Sequence, residues 1–208
     1  MRMRRKRHLD TRMERCGHLL VPEPKSLRGR WLDELPYSEV HLELGCGKGR
    51  FTAETAKTSP ETLFVAVEKI SNVLIAALEL TMQSELNNVR YISDWADDIK
   101  DFFALGEVSR IYINFCDPWP ARRHMKRRLT HQRFLEMYRH VLTPNGEIHF
   151  KTDNLPLFEY SLSEFDRCGY KVGEISYNLH ECSPKGIMTD YEQRFYEQGF
   201  PIYRCVAV

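Results

Sequence analysis

The stretch Glu43-Leu44-Gly45-Cys46-Gly47-Lys48-Gly49 constrains this chain more than any other. It follows a short apolar run at residues 40–44 and precedes a segment of helical character at 50–57, so it reads as strand, tight turn and helix. Glycines at alternate positions let the backbone adopt dihedrals that a Cβ forbids and approach a ligand closely. The helix start beyond them offers free N–H groups. A dinucleotide fingerprint would read G-x-G-x-x-G; here Arg50 stands at the place of its last glycine, and an acid precedes the turn. The plain alternative is a glycine-rich turn with no ligand.

The rest of the chain keeps to the same grammar. Strands are expected at 63–67, 89–92, 110–115 and 146–152. Between them, helices are expected at 71–86 (apolar at 73, 74, 77, 78 and 82, with Ser71 or Asn72 as cap), 97–103 and 130–142, the last closed by a Thr143-Pro144-Asn145-Gly146 turn. A helix at 154–168 would turn Leu157, Phe158, Leu162 and Phe165 inward. Two final strands, 170–178 and 202–208, flank a loop with Pro184 and Gly186 and a helix from 189 to about 197. This alternation predicts an α/β fold with a mostly parallel seven-stranded sheet and helices on both faces. Residues 1–30 lack a clean apolar period and read as a basic arm and an irregular approach, ordered by phosphates, with Trp31 and Leu32 starting the docking onto the core. The expected division is an arm and approach over 1–35 and a single domain over 36–208.

A second constellation follows the strand at 110–115. Asn114-Phe115-Cys116-Asp117-Pro118-Trp119-Pro120 runs into Ala121-Arg122-Arg123-His124-Met125-Lys126-Arg127-Arg128. A carboxylate and an aromatic ring thus stand at a strand's C-terminal end, where open α/β sheets bind ligands, beside a surface suited to phosphates. The net charge of +1 hides the asymmetry: residues 1–15 hold seven Lys/Arg and two acids, residues 121–133 six and none, and the other 180 carry 17 cations against 27 acids. One charge run is usually a solvated face; two on an acidic body point to a polyanion, here nucleic acid. No apolar run approaches the ~18 residues of a membrane span. The six cysteines show no C-x-x-C spacing, so neither a metal site nor a disulfide framework is expected, and the cytoplasm is the simplest location.

The form acid-x-G-x-G-x-G resembles motif I of the class I S-adenosylmethionine-dependent methyltransferases, a Rossmann-like fold. Glu68 lies 19 residues past Gly49, where a carboxylate can bind ribose hydroxyls. In such a fold the adenine lies at Ser93-Asp94-Trp95-Ala96; core packing is the other reading of Trp95. The block from Asn114 to Arg128, with Ile148-His149-Phe150-Lys151-Thr152-Asp153-Asn154, Asn178-Leu179-His180, Ile187-Met188-Thr189-Asp190-Tyr191-Glu192, Pro201-Ile202-Tyr203-Arg204 and the Met-Arg-Met-Arg start, resembles the bacterial tRNA (guanine-N7-)-methyltransferase family over nearly the whole chain. The resemblance implies methyl transfer from S-adenosyl-L-methionine to N7 of the variable-loop guanine, position 46, of tRNA, by a monomer or homodimer without metal. It implies that Glu43, Gly45, Gly47, Gly49, Glu68, Asp94 and Trp95 hold the donor, and that Asp117 also touches it as the catalytic acid. Asp153, Thr189 and Glu192 would contact the guanosine. The family commonly has Lys where Ala121 stands, so that contact is absent unless Arg122 makes it, and an acid where Trp95 stands, so that either Asp94 supplies the carboxylate or a backbone N–H recognises the adenine.

Those residue types suit the chemistry. Guanine N7 already carries a lone pair, so alignment is the main task, and it can supply ~7–11 kcal/mol. As N7 is alkylated the base becomes cationic, and a carboxylate accepting from its N1–H and N2–H₂ edge strengthens with that charge. Asp117, Asp153 and Glu192 are all candidates. Trp119 either stacks on the base or braces the turn; Thr189 and Asp153 either touch substrate or cap helices. Arg122, Arg123, His124, Lys126, Arg127 and Arg128 would meet phosphates, giving affinity and salt dependence, while specificity comes from tRNA shape and an extruded guanine. An exocyclic-amine methyltransferase and a catalytically dead tRNA-binding module are the competing readings.

Overall fold

A computed structural model describes residues 5–33, 36–183 and 185–208. Among them, strands β1 (Glu39–Leu44), β2 (Thr62–Val67), β3 (Val89–Ile92), β4 (Val108–Asn114), β5 (Leu142–Thr152), β6 (Val172–Ser176) and β7 (Tyr203–Ala207) form one sheet in the order β3-β2-β1-β4-β5-β7-β6. Every residue of β2 and all but the first of β1 is buried, as expected where both faces of a parallel strand are covered. Strands β1 to β5 are parallel; β7 runs antiparallel between β5 and β6. The sheet is therefore mostly parallel but mixed. The reversal has a topological cause: the chain leaves β6, crosses the carboxyl edge, and enters β7 from that edge, so that Tyr203 pairs with Thr152.

The order reverses between β1 and β4, which makes the gap over their carboxyl ends the switch point of the sheet. Alternate residues of the central strands feed two cores. Val40, Leu42, Leu44, Ile111 and Ile113 pack with α4 (Ile99–Phe102), α5 (Gln132–Val141) and α6 (Leu155–Arg167). Phe64, Ala66, Tyr91 and Tyr112 pack with α2 (Arg50–Thr58) and α3 (Ser71–Gln83) on the other face. Trp31, 1% exposed, belongs to the first core: its indole stacks on Phe103 at 5.1 Å and donates Nε1–H to the Phe102 carbonyl at 2.9 Å.

Several expectations change. Residues 8–30 are not irregular throughout: α1 (Leu9–Arg15) docks on α3, with Leu9, Cys16 and Leu19 buried and Arg12 clamped on Glu79 by two hydrogen bonds of 2.7 and 2.6 Å. The Met-Arg-Met-Arg start and Pro184 lie outside the described residues. Neither Ser71 nor Asn72 caps α3; Ile70 is at the N-cap, and its N–H donates to the Glu68 carboxylate at 2.9 Å. That helix stops at Gln83, before Glu85 takes φ 53°. The expected turn at 143–146 is absorbed into β5 as an irregularity, with Val108 opposite Leu142 but Arg110 opposite Glu147. The expected helix at 97–103 divides into a 3₁₀ turn, Ala96–Asp98, and α4. No helix among the described residues is long and apolar enough to cross a membrane.

Candidate active site

A cavity of about 690 Å³ lies over the carboxyl ends of β1 to β4, at the switch point. Gly45, Glu68, Asp94, Trp95, Asp117 and Trp119 all line it, so the two constellations read from the sequence meet in one place. The glycine turn works by two different devices. Gly49, at φ 80°, lies so near α3 that a Cβ would come within 2.5 Å of the Ala77 Cβ. Gly45, at φ 77°, borders open cavity, with nothing within 4 Å of a would-be Cβ. Gly47, at φ 60°, donates its N–H to Glu68 at 3.3 Å.

Glu68 joins turn and cavity. Its carboxylate accepts from the N–H groups of Ile70 and Gly47, and burial raises its pKa against those bonds. Glu43, the acid ahead of the glycine turn, lies deeper than Glu68. It is 3% exposed, lies beneath the turn and is not part of the cavity wall. Its oxygens accept from the Thr52 hydroxyl and from the Asn114 amide, the latter at 3.1 Å, and burial pushes its pKa up. On the β3 side, Asp94 accepts from the Trp95 N–H at 2.8 Å. Trp95 is not core: it is 56% exposed, with the Lys69 ammonium 4.4 Å from its ring centroid.

The turn after β4 is strained. Phe115 (φ 52°) and Trp119 (φ 41°) take left-handed backbone without being glycine, at a cost of about 1–3 kcal/mol each. Asp117 stands exposed between them. The Trp119 ring meets the His124 edge at 5.6 Å and the Arg127 guanidinium at 4.9 Å, so its ring braces the basic turn. Arg122–Arg127 is a 3₁₀ turn with Arg122, Arg123, Lys126 and Arg127 exposed. Arg128 faces inward instead. It donates to the carbonyls of Pro118 (2.9 Å) and Trp119 (3.2 Å) and lies over Tyr160. Arg127 and Arg133 both line the cavity; Arg133 also pairs with Asp97 at 2.7 Å and donates to the Lys126 carbonyl.

Helix α7 (Asp190–Glu197) is tied to the carboxyl end of β5 by the bond between Glu192 and Lys151. Thr189 caps it: its hydroxyl accepts from the Glu192 N–H at 2.9 Å, while Glu192 accepts from the Thr189 N–H at 3.3 Å. Glu192 is 0% exposed and bonds to Lys151 (2.7 Å) and His180 (2.9 Å). The His180 Nδ1 accepts from the Lys185 N–H, so Nε2–H is the donor to Glu192. Both Thr189 and Glu192 are thus engaged in holding α7, and neither lines the cavity. Asp153 is half-exposed, 3.5 Å from the Tyr191 hydroxyl; Asn154, not Asp153, caps α6 through the Leu157 N–H. From the sequence, Arg133 is only one cation of the basic block, and Asn114, Lys151 and His180 carry no assigned role. A lysine between Phe150 and Thr152 in an apolar strand was the available signal for a buried charge.

A family model described as "Putative methyltransferase" matches residues 37–205. The chain is 43% identical over 208 residues to the tRNA (guanine-N(7)-)-methyltransferase of Geobacillus sp. (strain WCH70), covering 99% of this chain and 94% of that protein. It is 41% identical to the protein of the same name from Geobacillus thermodenitrificans (strain NG80-2), covering 100% and 97%. Among solved structures, the 16S rRNA methyltransferase KamB superposes with a TM-score of 0.63 at 17% identity, covering 88% of this chain and 90% of that one. The precorrin-6y C5,15-methyltransferase of Geobacter metallireducens GS-15 does so with 0.59 at 16%, covering 99% and 92%. At such identities the likeness concerns the fold alone, a Rossmann-like class I methyltransferase fold with a mixed sheet.

Proposed function

Because the chain belongs to the tRNA (guanine-N7-)-methyltransferase family, we propose that it transfers a methyl group from S-adenosyl-L-methionine to N7 of guanine 46 in tRNA. The observation that carries this reading is the meeting of Glu68, Asp117 and the arginine turn around one switch-point cavity. The residues present suit the donor. Trp95 and Ile70 offer apolar surface to an adenine, Glu68 keeps lone pairs for ribose hydroxyls, and Gly45 leaves room for close backbone approach. When bound, S-adenosyl-L-methionine supplies an electrophilic methyl carbon.

The chain's own work is placement and charge. Asp117 accepts from the N1–H and N2–H₂ edge of the guanine, and that contact gains strength as the base turns cationic. Asp153 stands at the neighbouring strand end for a second contact, while Thr189 and Glu192 act by holding α7 in position. Arg122, Arg123, Lys126 and Arg127 meet backbone phosphates and set register and salt dependence without reading sequence. Trp119 keeps the arginine turn over the cavity.

The test is incubation with methyl-labelled S-adenosyl-L-methionine and an unmodified tRNA transcript, followed by nucleoside analysis. Label in 7-methylguanosine, lost when guanine 46 is replaced by adenine, is the expected result. Label in an exocyclic amine, or no label, would overturn the reading.

A further inference from the structure

We propose that the side-chain oxygen of Asn114 receives the α-ammonium of the methyl donor's amino-acid end, with Glu43 as the residue that positions it. The inference rests on the donor reading of the cavity and adds a contact to it.

Asn114 closes β4 and is 7% exposed, yet it forms part of the cavity wall. One prong of its amide is committed: Nδ2 donates to the Glu43 Oε1 at 3.1 Å. Glu43 is held from the other side by the Thr52 hydroxyl. A carboxylate oxygen cannot accept from an amide carbonyl, so this contact decides which way the amide faces. The other prong, Oδ1, is shut off from bulk water and has no hydrogen-bond partner among the described residues. Buried acceptors left so are uncommon in folded proteins, and this one belongs to a residue of the cavity wall, so that a small shift of the side chain toward the cavity brings it to a ligand's donor.

The order of the strands selects that donor. Going from β3 through β2 and β1 to β4, the cavity presents Trp95, Glu68, Gly45 and Asn114 in turn. With adenine at Trp95 and ribose at Glu68, the amino-acid end falls on the β1–β4 side. That end carries an ammonium, which donates, and a carboxylate, which does not. Only the ammonium suits an amide oxygen, and Asp117 in the same wall favours a cation there. Glu43, which the family resemblance casts as a donor ligand, then acts one step back.

The experiment is calorimetric titration of the full chain with S-adenosylhomocysteine and with its analogue lacking only the amino group. Asn114→Leu, similar in volume and without the acceptor, is expected to bind S-adenosylhomocysteine about tenfold more weakly, while the desamino analogue binds as it does to the unsubstituted chain. Glu43→Gln, which frees the amide to turn over, is expected to lose part of the same selectivity without touching the ligand. It also serves as the test if Asn114→Leu fails to fold. Equal weakening for both ligands would overturn the assignment. So would unchanged donor affinity with a raised KM for tRNA, which would place the guanine edge at Asn114. Failure of the unsubstituted chain to bind S-adenosylhomocysteine at all would remove the donor reading itself.

Discussion

The ammonium of Lys151 lies 2.7 Å from the Oε2 of Glu192, and both groups are buried. Burial pulls the Lys151 pKa down, opposed by Glu192. Removing one partner strands a charge in the interior, at a cost of about 3–5 kcal/mol. Lys151→Met and Glu192→Gln are each expected to lower Tm sharply, and the double variant to melt above either single one. Additive losses in thermal melts would contradict a coupled pair.

The two glycine devices separate in the same way. Gly49→Ala drives a Cβ into Ala77 from left-handed backbone, so it is expected to cost about 2–4 kcal/mol in denaturant unfolding. Gly45→Ala bears only the backbone penalty of about 1–2 kcal/mol but puts a methyl into ligand space, so donor affinity falls while stability drops less than in Gly49→Ala. Reversed rankings in melts and titrations would refute this division.

Arg127 and Arg128 are neighbours with different tasks. Arg127→Gln is expected to lower the slope of log affinity for tRNA against log salt by about 0.7–0.9, the value of one phosphate contact. Arg128→Gln is expected to lower Tm with the slope unchanged, because its guanidinium holds the Pro118 and Trp119 carbonyls. A fall in slope for Arg128→Gln would assign it to RNA after all.

Asp117→Ala is expected to reduce methyl transfer by about 100-fold or more, with the Kd for tRNA within about twofold. Single-turnover assays beside filter binding check it, and retained turnover rules out Asp117 as the catalytic carboxylate.

Stability is expected to fall in mild acid through His41. Burial lowers its pKa from 6.5 to about 4; Glu39 at 3.1 Å opposes the shift, while Arg110 and His149 reinforce it. The unfolded chain then takes up a proton that the folded one refuses. This contribution is intact above pH 6.5 and is lost as pH falls toward 4, amounting to about 3 kcal/mol. His41→Phe, which keeps a ring against Phe64 and Tyr112, should flatten that part of the stability profile in urea unfolding.

Legibility followed the range of the forces involved. Strand β3 reads directly from residues 89–92, and the glycine turn announces its strand and helix, because both depend on local pattern. The direction of β7 does not read, since apolar periodicity is the same in either sense. Helix α1 was hidden because its stripe, Leu9, Met13 and Cys16, is sparse among cations and is stabilised by α3, far along the chain. In Thr189-x-x-Glu192, the spacing of a substrate motif is also that of a capping box, and the capping bonds are the ones formed. Arg128 looked like its neighbours because nothing in a run of cations says which one turns back on its own turn.

The indole of Trp31 reaches the interior from upstream of the first strand, so what precedes the sheet is not packaging that can be discarded. An expression design that began the protein at residue 36 would excise a filled site from the α4 side and leave Phe103 facing a hole. Fusions joined at the front would pull on the same plug.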